Sequence, residues 1–143
     1  MTTSDTKNPL IKQARIIHYQ IHQMINELEY RNRQSENSKS VYRKNLLEDS
    51  LHYMRKNANV LLAKLSSAQQ IDSYCYKMES AWLIRKAIRE LKNDIKSLEL
   101  SGFAIKNQSK VLSLEIEQFK NLFAPWVKNI QPKTGEQDEW GFI

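Results

Sequence analysis

The long run from Leu10 to Ser101 contains neither glycine nor proline, and no other feature of the sequence constrains the fold as strongly. Tight hairpin turns usually need one of these residues, and antiparallel strands need such turns. The sequence therefore argues against a sheet over most of its length.

Apolar residues follow a helical period through most of the chain. One stripe comprises Leu10, Ala14, Ile17, Ile21, Met24 and Leu28. Its spacings alternate between four and three, which places the stripe on one face of a helix. Similar stripes cover residues 47–65, 84–98 and 105–130. Because short connections make consecutive helices antiparallel, we expect an all-α, antiparallel up-down four-helix bundle.

Polar residues and proline predict the boundaries of the first helices. Pro9 suits the first position of helix 1, and the polar run at residues 32–38 predicts where that helix ends. Ser38 or a neighbour is then expected to cap helix 2. The pair Ser67 and Gln70 fits a capping box, which predicts that helix 2 ends there and helix 3 begins.

The last helix boundaries depend on glycine and proline. Gly102 suits a left-handed stop for helix 3. Helix 4 is expected at about residues 105–129, with a kink or local opening at Pro125. The predicted organisation is a flexible N-terminus, the bundle and a flexible acidic tail, at residues 1–8, 9–130 and 131–143.

Composition limits the class of protein. The 143 residues are enough for one domain with a sizeable core. No apolar run is long enough to span a membrane, and the N-terminus lacks the apolar stretch of a signal peptide. The single cysteine, Cys75, cannot form an internal disulfide and is expected to be a small buried residue. We therefore expect a cytoplasmic protein that makes no membrane contact.

A basic stripe on helix 3 predicts the class of partner. The net charge is +6, and the acidic tail leaves the bundle itself more basic still. Arg85, Arg89, Lys92 and Lys96 recur at helical spacings, with Lys86 beside them. Such a stripe suits the phosphate backbone of RNA or DNA. The alternative is that these side chains only solvate the bundle.

Catalytic and metal-binding patterns are weak, and we expect a protein that is not an enzyme and holds no cofactor or metal. His18 and His22 are four residues apart, a spacing that can bind a metal, but no third ligand is apparent. Asp49 and His52 form only half of a di-iron signature. Arg15 and His22 have the spacing of the arginine–histidine pair in HEPN-fold ribonucleases, so a helical ribonuclease remains an alternative.

Two further features predict protein contacts. Apolar residues beside the four stripes exceed what one core needs, which favours a homo-oligomer. The tail ends in Trp140, Phe142 and Ile143 after several acids, and this arrangement predicts a docking peptide for a partner protein. The competing interpretation is that the tail straps the chain's own bundle or a neighbouring subunit.

Residues 78–128 resemble the accessory variability determinant proteins of diversity-generating retroelements, which belong to the four-helix family of the bacterial ribosomal intervening-sequence proteins. The resemblance rests on a leucine- and arginine-rich third helix, a glycine-marked turn and a fourth helix that ends near a tryptophan and a lysine. The corresponding segments here are residues 82–91, Gly102-Phe103 and Trp126-Val127-Lys128. Where the family usually has two glycines before the tryptophan, this chain has Ala124-Pro125.

The resemblance implies a non-catalytic accessory subunit. Such proteins form a pentamer, bind a reverse transcriptase and its template RNA, and support the copying of a template repeat into complementary DNA during mutagenic retrohoming. By position, Arg85 and Arg89 would contact the partner or the nucleic acid. Another helical assembly subunit, such as a CRISPR small subunit or a phage or plasmid accessory protein, remains an alternative.

Overall fold

The computed structural model describes residues 8–34, 41–103, 105–133 and 135–136, and within them it contains four α-helices and no strand. The helices are α1 (Pro9–Gln34), α2 (Val41–Gln70), α3 (Tyr74–Leu100) and α4 (Lys106–Lys128). They pack against one another as a four-helix bundle, which confirms the predicted all-α class.

Each helix packs mainly on two neighbours. α2 lies between α1 and α3, and α4 closes the ring by packing on α1 and, less extensively, on α3. Polar contacts show that α1 and α4 are antiparallel. Gln13 near the start of α1 donates to the Glu115 carbonyl at 2.9 Å, whereas Glu27 farther along accepts from Gln108 near the start of α4. α2 and α3 form the most extensive contact, and α3 and α4 the least extensive of the four.

The core consists of the predicted stripes. Every residue of the first three stripes is buried, and Ile11 and Ile25, which lie beside the first stripe, are buried as well. The fourth stripe is buried only as far as Phe119, because Phe123 and Trp126 are partly exposed at the edge of the core. The helix α4 is therefore anchored firmly in its first half and more loosely in its second.

Two predicted boundaries are confirmed. Pro9 begins α1, and the preceding Asn8 caps it by accepting from the Leu10 N–H at 2.9 Å. Gly102 ends α3 with a φ of 87°, and the Phe103 N–H reaches back to the Leu98 carbonyl at 3.1 Å. Together with the bond from the Gly102 N–H to Glu99, this pattern is a Schellman motif, which satisfies carbonyls at the helix end.

The predicted boundary at Ser67 and Gln70 is wrong. The helix α2 continues to Gln70, and the Ser67 hydroxyl donates to the Ala63 carbonyl at 2.9 Å. A serine can satisfy its hydroxyl in this way inside a helix, so its presence alone does not mark a helix end. The cap of α3 is instead Ser73, whose side chain accepts from the Tyr76 N–H at 3.3 Å.

Other predictions meet the structure only in part. α4 continues through Pro125 to Lys128, and Ser38 lies outside the described residues. Among the described helices, none is long and apolar enough to cross a membrane.

Candidate nucleic-acid interface

The predicted basic stripe lies on the outer surface of α3. Arg85, Arg89, Lys92 and Lys96 are all exposed. None of the four forms a salt bridge with a carboxylate in the described part of the chain. Their charges are therefore available to an external anion.

Lys86 differs from the other cations of this helix. It is exposed, but its Nζ lies 3.9 Å from a carboxylate oxygen of Glu90, one turn along α3. Exposed pairs of this kind contribute little to stability, yet the carboxylate offsets the neighbouring positive charge. Of the five residues predicted to bind nucleic acid, Lys86 is thus the least suited to contact a phosphate.

A groove separates the stripe from α4. Arg85, Ile88, Arg89 and Lys92 line it on α3, and the facing residues of α4 are Phe119, Lys120, Phe123 and Ala124. Its volume is about 340 Å³. The apolar side chains form its floor, and the cations stand at its rim, where Lys120 also lies 3.5 Å from Glu117. We call this feature the α3–α4 groove.

Aromatic rings occupy both sides of this region. On α4, the Phe119 and Phe123 rings are stacked with centroids 5.4 Å apart, and the Trp126 ring stacks on Phe123 at 5.7 Å. On α3, Trp82 is 66% exposed, and the Arg85 guanidinium lies 5.8 Å from the centroid of its ring. An exposed indole beside a guanidinium offers a flat surface on which a nucleobase can stack.

Three arginines elsewhere in the bundle have partners within the protein. Arg31 pairs with Glu27 one turn earlier on α1, and Arg55 reaches from α2 to Glu29 on α1 at 2.5 Å. Arg43 donates to the Ser101 carbonyl at 2.7 Å at the end of α3. Arg55 links α1 to α2, Arg43 contacts the end of α3, and Arg31 is paired within α1. All three therefore differ from the stripe residues of α3 in having partners.

The two histidines of α1 form a polar cluster with α2. The rings of His18 and His22 are 4.3 Å apart, and their Nε2 atoms lie 2.8 Å and 3.4 Å from Oδ1 of Asn59. Burial, and next the positive charge of His18, lower the pKa of His22 below its ordinary value. Among the described residues, no group of three or more histidine, cysteine or acidic side chains is placed to hold a metal ion.

The other candidate residues lie apart from any shared site. Arg15 is half-buried on α1, one helical turn from the His18–His22 pair. Asp49 and His52 are both exposed on α2, away from the bundle core that di-iron chemistry requires. The prediction that Cys75 is buried is wrong. It is only half-buried, because it lies in the first turn of α3.

The predicted docking residues Trp140, Phe142 and Ile143 lie outside the described residues. The segment before them contacts the bundle. Lys133 pairs with Asp72 in the α2–α3 connection, and Glu136 accepts from the Tyr74 N–H at 2.6 Å. The chain therefore returns from the end of α4 to the start of α3.

Sequence reasoning did not identify the α3–α4 groove or the contribution of Lys120 to it. In the sequence, Lys120 is recognisable only as a cation next to an apolar stripe residue, Phe119, and every helix of this chain has such positions. Only the packing of α4 on α3 distinguishes this lysine from the others.

Comparisons with protein-family models, with curated proteins and with solved structures find no match to this chain.

Proposed function

We propose that this protein is a non-catalytic subunit that binds the phosphate backbone of nucleic acid along the outer face of α3. The observation that supports this most directly is the stripe of four exposed cations without carboxylate partners in the described residues, Arg85, Arg89, Lys92 and Lys96. Other exposed cations, such as Lys12, Arg33 and Lys56, also have no carboxylate partner in the described residues, but the four cations of the stripe follow one another along a single face of one helix.

The size of the stripe suits a short length of backbone. From Arg85 to Lys96 the helix rises about 16 Å, at about 1.5 Å per residue. One strand of a duplex carries a phosphate about every 3.4 Å, so the stripe faces about five phosphates. Four phosphate contacts give affinity without sequence readout, because backbone contacts carry no base information.

Trp82 favours a single-stranded partner. Its exposed indole lies at one end of the stripe, where a base splayed from a single strand can stack on it while the phosphates follow the cations. Bases in a duplex are already stacked and paired. We therefore expect tighter binding to single-stranded than to double-stranded nucleic acid of equal length.

Within this function, the resemblance to the retroelement accessory proteins favours a reverse transcriptase as the protein partner and a homo-oligomer as the assembled state. The exposed apolar surface suits such an assembly, since Leu114 is 73% exposed and Val111 on the same face of α4 is also exposed. Light scattering tests the assembled state. A protein of 16.9 kDa at every concentration would contradict the oligomer.

A charge-reversal experiment tests the nucleic-acid proposal. In the first variant, Arg85, Arg89, Lys92 and Lys96 are changed to glutamate. In a matched control, four exposed cations on other surfaces are changed in the same way: Lys12, Arg33, Lys56 and Lys110. Both variants lose the same net charge, so any difference between them reports position rather than total charge.

We expect the stripe variant to bind a single-stranded oligonucleotide at least about tenfold more weakly than the control, with the circular dichroism of a folded bundle in both. For the natural chain, four contacts predict that log K falls with log salt at a slope of about −2.8 on a single strand and about −3.6 on a duplex. Equal binding by the folded stripe variant and the control, or no binding by the natural chain at low salt, would refute the proposal.

A ribonuclease is the second candidate function, and the His22 environment favours it. The lowered pKa keeps this imidazole neutral near neutral pH, which is the form that a general base needs. Arg15 would then bind the phosphate. Cleavage of RNA by the natural chain that His22→Ala abolishes would support this function over the non-catalytic one, and absence of cleavage would exclude it.

A further inference from the structure

The α3–α4 groove combines two chemistries that a nucleic acid backbone does not use together. Its floor is apolar, formed by Ile88, Phe119 and Phe123, and its rim carries Arg85 and Arg89. A phosphate makes no favourable contact with the apolar floor, and a purely apolar partner makes no favourable contact with the cations of the rim. The surface fits a ligand that is both acidic and aromatic.

The chain itself contains such a segment. Residues 137–143 hold two acids followed by Trp140, Phe142 and Ile143. The seven residues contain no cation, so their charge is opposite to that of the groove rim. Charge and apolar character therefore match the groove at the same time.

The described contacts place Glu136, the residue before this segment, at the start of α3. The salt bridge between Lys133 and Asp72, and the bond from the Tyr74 N–H to Glu136, fix the chain at the start of α3. Hydrogen bonds from the Lys133 and Tyr74 N–H groups lower the pKa of Glu136, so its carboxylate stays ionised in this contact. The groove opens on the following turns of the same helix.

The remaining length is sufficient to reach it. From Tyr74 to Arg85 the helix rises about 16 Å. An extended chain covers about 3.3 Å per residue, so residues 137–143 span up to about 23 Å from Glu136. Trp140 can then lie about 13 Å along, near the groove entrance, and Phe142 about 20 Å along, beside the arginines.

We propose that residues 137–143 bind in the α3–α4 groove of their own bundle, with Trp140 at its entrance, Phe142 on the apolar floor and Glu139 toward Arg85, and that this segment competes there with polyanions. Tethering at Glu136 makes the contact intramolecular, and a short linker gives an effective concentration on the order of millimolar. A weak contact is then enough to occupy the groove. The proposal concerns the groove's internal occupant and does not require that nucleic acid be the external one.

The indole N–H of Trp140 in the full-length protein reports this contact directly. The chain has three tryptophans, so its nitrogen-correlated NMR spectrum contains three indole signals, and Trp140→Phe identifies the one of interest. We expect an order parameter for this N–H of about 0.8, close to that of rigid backbone. A free chain end would give a value below about 0.6.

Two variants locate the contact. Reversing the rim with Arg85→Glu, Arg89→Glu and Lys92→Glu should lower the Trp140 order parameter below about 0.6. The control reverses Lys12, Arg33 and Lys56 and should leave it unchanged. A low value in the natural chain, or an unchanged value in the rim variant, would overturn the proposal. Loss of order on dilution would also overturn it, because the groove would then hold the tail of a second copy.

Competition is measured separately. The double variant Trp140→Ser, Phe142→Ser should bind a single-stranded oligonucleotide several-fold more tightly than the natural chain, because the rim cations are released. Unchanged affinity would contradict competition. If neither protein binds any oligonucleotide, the proposed function is refuted. The NMR order parameter of Trp140 then still tests, independently, whether the tail occupies the groove.

Discussion

The two flanks of α3, one toward α2 and one toward α4, differ in packing and in charge. The flank toward α2 is tightly packed and uses small buried residues, Ser80 and Ala87, which lie two turns apart. The flank toward α4 is open and faces the large rings of Phe119 and Phe123 across a groove. Small side chains let two helix axes approach, whereas rings hold them apart and leave space between the backbones.

The charges of the two flanks also differ in sign. Glu90 and Asp94 lie on the α2 flank, beside Tyr53 of α2, while Arg85, Arg89 and Lys92 lie on the α4 flank. A single helix thus presents one side with two carboxylates, of which Glu90 is paired with Lys86, and one side with three cations. We call the α2 side the closed flank and the α4 side the open flank. The α2 flank is the packed side of the helix, and the α4 flank is the side to which we assign the proposed binding.

Enlarging a side chain on the closed flank should cause the largest loss of stability. Ala87 is buried, so Ala87→Leu must force α2 and α3 apart at a cost of about 1–3 kcal/mol. The matched control is Ala124→Leu, because Ala124 is an exposed wall of the α3–α4 groove. Its change should stay within about 0.5 kcal/mol. Urea unfolding measures both, and equal destabilisation would mean that the two flanks are packed alike.

The turn that joins α3 to α4 should be the next most sensitive feature. Gly102 has a φ of 87°, and a β-branched residue in this left-handed region costs on the order of 1–2 kcal/mol. We expect Gly102→Val to lower the melting temperature by several degrees. Ser97→Val, an exposed substitution on α3, should lower it by much less. Similar melting temperatures for these two variants would show that the left-handed stop does not hold the turn.

The smallest effect is expected from the acidic charge on the closed flank. Burial, and next the negative charge of Glu90, raise the pKa of Asp94. A raised pKa means that the folded state holds the proton more readily than the unfolded state, so ionisation destabilises the fold as pH rises past the usual carboxylate range.

Asp94→Asn should therefore raise the melting temperature at pH 7 and have little effect near pH 3, where the carboxyl is protonated. Glu99→Gln, on an exposed part of the same helix, is the control. A gain of equal size at both pH values would mean that packing rather than charge explains the effect.

The helices and their buried faces could be predicted from the sequence, because burial of one helix face imposes a spacing of three and four residues on the apolar side chains. Gly102 was also predictable, because the left-handed residue at a helix end is usually glycine. Ser67 misled because a serine hydroxyl can bond either to a helix end or to a carbonyl one turn back, and tertiary packing decides between them.

The stripe on α3 was visible as a pattern, and so was the absence of an acid within it. Glu90 follows Lys86 by four residues, whereas Asn93 stands four residues after Arg89, and the structure shows the salt bridge that the first spacing allows. The groove was not visible in the sequence. It depends on how closely α4 approaches α3, and the rings of Phe119 and Phe123 on α4 leave space between the two helices.

The most direct test of the central claim compares arginines within one molecule. The side-chain Nε–H signals of Arg85 and Arg89 can be followed by NMR while a single-stranded oligonucleotide is added at low salt. Binding at the open flank predicts that these two signals shift and saturate together, while those of Arg31 and Arg55, which are paired with glutamates, stay in place. Shifts of equal size at all four arginines, or shifts at Arg31 and Arg55 alone, would contradict the assignment of the binding surface to α3.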